Sequence, residues 1–179
     1  MNLTRRLVAF VTALGLVVAL AGATLAGGAR HASATFVDAT GATVGWARLV
    51  EDATGRVHVN IHVKGLAPGR HGVHIHAVGA CGPTFAAAGG HYNPLAHQHG
   101  LENPSGPHAG DLPNLVVNGA GVGHLDATTD RVTLSPGTAT LFDATGSAFI
   151  IHANPDDQLT DATNGGSGAR IACAVIEGD

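Results

Sequence analysis

The sequence predicts an all-β domain, and three observations support this fold class. Glycine accounts for 26 of the 179 residues, and short apolar runs alternate with turn-forming residues. The segment 55–63 (GRVHVNIHV) alternates strictly, so its apolar side chains share one face of a strand. From residue 35 onward the sequence shows no helical periodicity, no linker and no boundary of a second domain.

The strands are expected to follow one another along the chain, separated by turns. The first two, at 42–50 and 55–63, should form a hairpin with one buried and one wet face. Further strand candidates lie at 73–78, 114–118, 121–128, 131–134, 137–142, 148–153 and 169–177. This regular spacing of strands is interrupted by two long stretches rich in Gly, Pro, Asn and Asp, 79–113 and 154–169. Connections of that length in a compact β domain usually carry function.

The amino-terminal segment 1–34 is expected to be a secretion signal peptide, which leaves 35–179 as the mature domain. Two adjacent arginines precede an apolar stretch, and HASA offers an A-x-A cleavage site after Ala34. A retained membrane anchor is the alternative, because the stretch is nearly long enough to span a bilayer. Glycines within it and the cleavage site favour export, by a general or a twin-arginine route, with no stable membrane span after cleavage. The destination would be the periplasm, the cell envelope or the medium.

Charge and cysteine content narrow the possible partners. The mature domain would carry a net charge of about −7 with neutral histidines and has no basic stripe, which argues against nucleic acid as a partner. Cys81 and Cys173 are the two cysteines, and an exported chain meets oxidising conditions, so they can form one disulfide. The bond would close a loop of about 90 residues, worth roughly 4–5 kcal/mol on the chain-entropy model.

The twelve histidines are more than a core of this size needs. His74 and His76 are separated by one residue, so both side chains point to one face of a strand. Two close imidazoles gain little from packing, and their neutral nitrogens are good ligands for copper and zinc. Three other histidines lie on polar faces of strands and are expected to be ordinary surface residues: His58, His62 and His124.

The first long stretch supplies His91, His99, His108 and Asp111, which together make a complete tetrahedral zinc set. A full set leaves no open position, as in structural zinc sites, and a metal would offset the entropy of ordering so long a connection. The alternative is a histidine-rich loop that buffers metal weakly, but the irregular spacing argues against it.

A further ligand and an acid follow at the end of an apolar strand. His152 is placed to join His74 and His76, and Asp156 could accept hydrogen bonds from the ligand histidines. The alternative for Asp156 is an acid that only caps a turn.

Six motifs, in order, resemble those of exported bacterial copper/zinc superoxide dismutases: HGVHIH, GGHYNP, HQHG, GPHAGDLPN, FIIHANPDD and GARIACAVIE. The resemblance runs from about residue 35 to residue 179. It implies an eight-stranded Greek-key β-barrel or sandwich with two long functional loops. It also implies an enzyme that converts superoxide to dioxygen and hydrogen peroxide.

The resemblance assigns a role to each candidate residue. Copper would be bound by His74, His76, His91 and His152. Zinc would be bound by His91, which bridges the two metals as an imidazolate, together with His99, His108 and Asp111. The remaining roles are a second bridge, a brace beneath the copper, a cation at the mouth of the site and a disulfide, held respectively by Asp156, His71, Arg170 and the pair Cys81 and Cys173.

One departure concerns the second long stretch, 154–170, which carries acids but no lysine. Arg170 is its one cation, so strong long-range attraction of superoxide is in doubt. Oligomer contacts vary among bacterial members, so a homodimer stays open. Two rivals to the enzyme also stay open: an exported copper/zinc carrier without turnover, and a structural β-sandwich module with surface histidines.

Overall fold

The computed structural model describes residues 30–179, which contain ten β-strands and two short 3₁₀ helices. The strands are β1 (Arg30–Asp38), β2 (Thr43–Glu51), β3 (Val57–Lys64), β4 (Gly69–His71), β5 (Val73–His76), β6 (Leu115–Val117), β7 (Val122–Thr129), β8 (Ala148–His152), β9 (Arg170–Val175) and β10 (Glu177–Gly178). The 3₁₀ helices are Ala86–Ala88 and Asp161–Gly166.

The strands close into an antiparallel barrel. Hydrogen bonding gives the order β4-β6-β7-β3-β2-β1-β9-β8-β5, with β10 also beside β1. Only Gly72 separates β4 from β5, so the two ends of this path belong to one interrupted strand and the ring is complete. Counting β4 with β5 and β9 with β10 leaves eight strands. The connections from β3 to β4 and from β7 to β8 each pass two intervening strands of the ring, which is Greek-key connectivity. The predicted fold class is therefore confirmed.

The alternation predicted for 55–63 decides which face of β3 enters the core. Val57, Val59, Ile61 and Val63 are buried, whereas the residues between them are exposed or half-buried. In contrast, β8 is buried along its whole length, because one of its faces lies in the barrel and the other is covered by loop residues. This covered face is where the functional side chains gather.

Two predicted strands, 131–134 and 137–142, are wrong. These segments share a single backbone bridge between Thr133 and Thr140, inside the connection from β7 to β8. Their apolar residues are nevertheless buried, because Val132, Leu134 and Leu141 join the hydrophobic core. Glu51 holds the turn in place by accepting the amides of residues 134 and 135 at 2.8 and 2.7 Å. Burial at the barrel end, rather than strand pairing, explains the apolar pattern.

The predicted signal segment lies outside the described residues except for residues 30–34, which belong to β1. Ala32 and Ala34 are buried in the core, and all five residues pair with β2. A cut after Ala34 would remove more than half of this strand. Within residues 30–179 the structure contains no helix of the length and hydropathy needed to cross a membrane.

Two long connections meet at one side of the barrel. We call residues 77–114 the first loop and residues 153–169 the second loop. The amide of Glu102 donates to the carbonyl of Gln158 at 2.8 Å, and the amide of His99 donates to the carboxylate of Asp161 at 2.6 Å. A disulfide between Cys81 and Cys173 anchors the start of the first loop to β9. The predicted disulfide is therefore present.

Candidate metal centre

The first loop folds back along β5, the strand that carries His74 and His76. The amide of Ile75 donates to the carbonyl of Gly110 and its carbonyl accepts the amide of Tyr92, both at 2.8 Å. Backbone bridges therefore place His74 opposite Asp111 and His76 opposite His91. Backbone pairing brings together residues that are far apart in sequence.

Four imidazoles form one group, because one nitrogen from each lies within 4.8 Å of the others: His74, His76, His91 and His152. The ring centroids of His74 and His91 are 3.9 Å apart, and those of His74 and His152 are 4.9 Å apart. His152 ends β8, the strand paired with β5, so both strands of this pair contribute ligands. These are the four residues that the resemblance in sequence assigns to copper.

Three of these rings are oriented by a hydrogen bond from the nitrogen that faces away from the group. His74 Nε2 donates to Asp156 Oδ2 at 2.5 Å, His76 Nδ1 donates to the Gly89 carbonyl at 2.9 Å, and His152 Nδ1 donates to the Gly168 carbonyl at 3.0 Å. Their opposite nitrogens are buried without a hydrogen-bond partner. A buried unpaired nitrogen is costly, and a metal bound by all three would satisfy them together.

Burial also keeps these three rings neutral. It lowers the pKa of His74 to about 3, that of His76 to about 2 and that of His152 to about 4. Each ring therefore offers a lone pair at neutral pH, as a metal ligand must.

A second group surrounds the carboxylate of Asp111. The Nδ1 atoms of His91 and His99 both lie 3.0 Å from Asp111 Oδ1, and His108 Nδ1 lies 3.4 Å from it. His91 Nδ1 and His108 Nδ1 are 3.2 Å apart. Ligands about 2.0–2.1 Å from a tetrahedral zinc ion are separated by roughly 3.3 Å, so these distances fit a zinc site.

His74 also comes within 4.8 Å of the nitrogens of His91 and His99 and of the Asp111 carboxylate. Its Nε2 is nevertheless engaged by Asp156, so His108 is the better fourth member of the second group. His91 then belongs to both groups. Its Nδ1 faces Asp111, which leaves Nε2 for the first group.

The second group is charged in the absence of metal. Burial raises the pKa of Asp111, but hydrogen bonds from His108, His91 and His99 outweigh it and bring the pKa well below its usual range. Burial lowers the pKa of His99, but hydrogen bonds to Asp111 and Asp156 raise it to about 9. Zinc would therefore bind a formed carboxylate and displace a proton from His99.

Asp156 connects the two groups through its two carboxylate oxygens. Oδ2 accepts from His74 Nε2 at 2.5 Å and Oδ1 accepts from His99 Nε2 at 3.1 Å. Asn114 bonds the backbone of Asp156 twice, with both distances 2.8 Å. A Cβ on Gly165 would lie 1.8 Å from Asp156 Oδ1, so a side chain at that position would displace the carboxylate.

Arg170 and His71 lie beside the first group. The Arg170 guanidinium donates to the carbonyls of Phe85 and Gly89, each at 2.6 Å. The Gly89 carbonyl also accepts from His76, so the arginine and a ligand histidine share one anchor. The two ring nitrogens of His71 lie 2.8 and 2.9 Å from the carbonyls of His152 and Ala67, which ties β4 to the end of β8.

Three supporting residues were not found from the sequence. Asn114 positions Asp156, Arg131 Nη2 donates to the Asp111 carbonyl at 2.7 Å, and Gly110 approaches β5 so closely that a Cβ would lie 2.2 Å from the Ile75 carbonyl. The motif GPHAGDLPN contains two of them, but their partners are distant in sequence. Gly110 alone had a local indication of its role, because it directly precedes the candidate ligand Asp111 in the sequence.

Residues 43–176 match the family described as copper/zinc superoxide dismutase (SODC). The chain belongs to this family. Its similarity to curated superoxide dismutases extends over most of both chains. Superoxide dismutase [Cu-Zn] 2 of Aquifex aeolicus is 42% identical over 148 residues, which cover 81% of this chain and 85% of the relative. Superoxide dismutase [Cu-Zn] of Caulobacter vibrioides is 42% identical over 132 residues, or 72% and 75% of the two chains.

Solved structures of superoxide dismutase-like proteins are similar to this member of the copper/zinc superoxide dismutase family. The crystal structure of a superoxide dismutase-like protein from Bacillus subtilis aligns with a TM-score of 0.75 and 39% identity. The alignment covers 79% of this chain and 95% of that structure. A double mutant of a superoxide dismutase-like protein from Bacillus subtilis gives the same TM-score with 41% identity, covering 79% and 94%.

Proposed function

We propose that the chain disproportionates superoxide to dioxygen and hydrogen peroxide at a copper ion joined through His91 to a structural zinc ion. The observation that carries this proposal is the position of His91, whose ring is within ligand distance of both groups. A carrier that only holds metal has no need of a ring shared between two sites. Family membership supports superoxide dismutase chemistry in general.

Bound copper would supply one-electron exchange with superoxide in both directions. The chain contributes geometry, charge and protons. His74 and His76 on β5 and His152 at the end of β8 hold their rings rigidly, since each is fixed by a hydrogen bond from the nitrogen that faces away from the group. His91 Nδ1 lies within the second group, so Nε2, when it is not bound to a metal, could take a proton from solvent and donate it to the forming peroxide. Arg170 would bind the superoxide anion beside the copper ligands.

The direct test is the copper and zinc content per chain, measured together with dismutase activity on the loaded protein. We expect one copper, one zinc and rapid turnover. A protein that binds both metals tightly without turnover would instead be a carrier, and the proposal would be wrong. Near-zero metal would favour a purely structural module.

Replacing Arg170 with alanine should lower kcat/KM for superoxide by about tenfold at low ionic strength, because a charge-assisted contact to the anion is lost. Copper content should not change, since the Gly89 carbonyl still orients His76. Pulse radiolysis at several salt concentrations measures the effect. Arg170→Lys is the matched control and should keep part of the rate, because it retains the charge without the fork. Wild-type kcat/KM in Arg170→Ala at low salt would exclude this role.

Replacing Asp111 with asparagine should weaken zinc binding by at least about 100-fold and leave copper bound through His74, His76 and His152. The substitution preserves the shape but removes the charge that three imidazoles surround. Competition with a chromogenic chelator measures the affinity. Asp157→Asn changes an exposed carboxylate of the second loop and serves as the control. Equal zinc affinity in the two variants would contradict the assignment.

We also propose that the chain is exported. The disulfide supports export, because such bonds persist in oxidising compartments. We expect the mature chain to retain the whole of β1, with cleavage at or before Arg30, since a cut after Ala34 removes buried Ala32 and Ala34 from the core. Mass spectrometry of the secreted protein reads the amino terminus. A mature chain that begins at Thr35 would show that the barrel forms without residues 30–34.

A further inference from the structure

Three aromatic rings form a row on the outer face of the barrel, across β2, β3 and β7. The strand register places Trp46 beside His62, and His62 beside His124. The ring centroids are 4.4 Å apart in the first pair and 4.1 Å apart in the second. In the barrel order β6 separates β7 from the interrupted strand β4–β5, and the row shares no residue with the two groups of the metal centre.

A carboxylate adjoins the two imidazoles. Asp126 follows His124 by two residues and shares its face of β7, and its Oδ2 accepts from His124 Nε2 at 2.5 Å. Asn60, the cross-strand neighbour of Asp126, donates to the other carboxylate oxygen. These hydrogen bonds from Asn60 and His124 lower the pKa of Asp126, so the carboxylate is charged at neutral pH.

This arrangement is favourable for a metal ion. Two imidazoles on adjacent strands offer nitrogen ligands close together, and the carboxylate beside them adds an oxygen ligand. The side chains of His124 and Asp126 are 44% and 69% exposed. They can therefore turn toward a shared ion, and water can occupy the remaining coordination positions. Imidazole and carboxylate together suit late first-row divalent metals, with copper the strongest binder.

We propose that His62, His124 and Asp126 form a surface site for a divalent transition-metal ion, Cu(II) in preference to Zn(II), in addition to the centre around His91. His58, on the same face of β3, is excluded from the site. Its ring is already engaged by Asp52 at 2.8 Å and by Thr128 at 3.1 Å.

Trp46 provides a local readout because it is the single tryptophan of the sequence and its ring contacts His62. The test uses full-length mature protein that has been saturated with copper and zinc and freed of excess metal. Cu(II) alone is then titrated while indole emission is recorded. Paramagnetic Cu(II) beside the ring should quench the emission with one additional equivalent bound. Zn(II), which has a filled d shell and binds more weakly, should restore emission only when a large excess displaces the copper.

His62→Gln and His124→Gln should each weaken the binding of this additional Cu(II) by at least about tenfold, and Asp126→Asn should weaken it by a smaller factor. His58→Gln is the matched control and should leave the titration unchanged. Circular dichroism confirms that each variant folds, which is expected because none of the substituted side chains lies in the hydrophobic core.

Equal quenching in wild type, His62→Gln and His124→Gln would overturn the proposal, and so would a loss of quenching in His58→Gln. Absence of a third equivalent in the wild-type protein would also overturn it. Turnover of superoxide is not measured in this experiment. Its outcome therefore does not depend on whether the metal-loaded protein is a dismutase.

Discussion

Removal of both metals should lower the midpoint of thermal unfolding by at least about 10 °C, and zinc alone should restore most of the loss. A ligand present at 1,000 times its Kd stabilises the native state by about 4 kcal/mol, and each kcal/mol shifts the midpoint by about 2–4 °C for a domain of this size. Both metals would bind the folded chain, because their ligands converge only after the first loop has folded along β5.

The two metals should differ because their ligands come from different parts of the fold. All four proposed zinc ligands lie in the first loop: His91, His99, His108 and Asp111. Three of the four proposed copper ligands lie on β5 or β8, two strands whose backbones pair with each other in the barrel. Zinc should therefore order a long connection, whereas copper should mainly supply activity.

Differential scanning calorimetry of the metal-free, zinc-only, copper-only and doubly loaded forms measures these contributions. Hydrogen exchange should show that zinc protects amides of the first loop, such as those of Gly100 and His108, which donate to Asp111 at 2.9 and 3.0 Å. The Asp111→Asn variant is the control and should gain little stability from added zinc. Copper alone restoring the full midpoint would contradict this division of roles.

The second large effect concerns the disulfide. Replacing Cys81 and Cys173 with serine should destabilise the protein by about 4–5 kcal/mol, because the bond links residues 92 positions apart. The midpoint of thermal unfolding should fall by about 10–15 °C. The Phe85 and Gly89 carbonyls that hold Arg170 lie just beyond Cys81, so kcat/KM should fall as well. Copper affinity should fall by a smaller factor than kcat/KM, because the hydrogen bonds that orient His74 and His152 remain.

The measurement compares wild type and the double variant with and without a thiol reductant, in the metal-loaded state. Reductant should shift the wild-type midpoint toward that of the variant and leave the variant itself unchanged. This pairing separates loss of the bond from the local effect of two serines. A wild-type midpoint that does not respond to complete reduction of the bond would contradict the expected contribution.

Most of the strands, and the pair of histidines on β5, could be predicted from the sequence, because both depend on short-range patterns. Period-two alternation identified the buried face of β3, and the spacing of His74 and His76 placed both on one face of β5. The strand predictions for 131–134 and 137–142 were wrong, because burial at the end of the barrel produces the same apolar pattern as a strand. The family motifs supplied the rest of the ligand assignments, which spacing alone left open.

Contacts between distant segments were beyond the sequence. Asn114 and Arg131 act on Asp156 and Asp111 through backbone atoms, and no local pattern identifies such partners. The row formed by Trp46, His62 and His124 requires the register of three strands. Each histidine, considered alone, was expected to be an ordinary surface residue. Only the pairing of β3 with β7 shows that two of them are neighbours.

The seam between β5 and the first loop has a consequence for the protein without its metals. Gly110 and Tyr92 occupy the hydrogen-bonding groups of Ile75 on the side of β5 that faces away from β8. If the first loop detaches, the backbone of β5, which includes Val73 and Ile75, becomes an unpaired strand edge. Such an edge can pair with a strand of another molecule. Metal-free protein should therefore self-associate through this edge. Bound copper and zinc would then also protect the protein against aggregation.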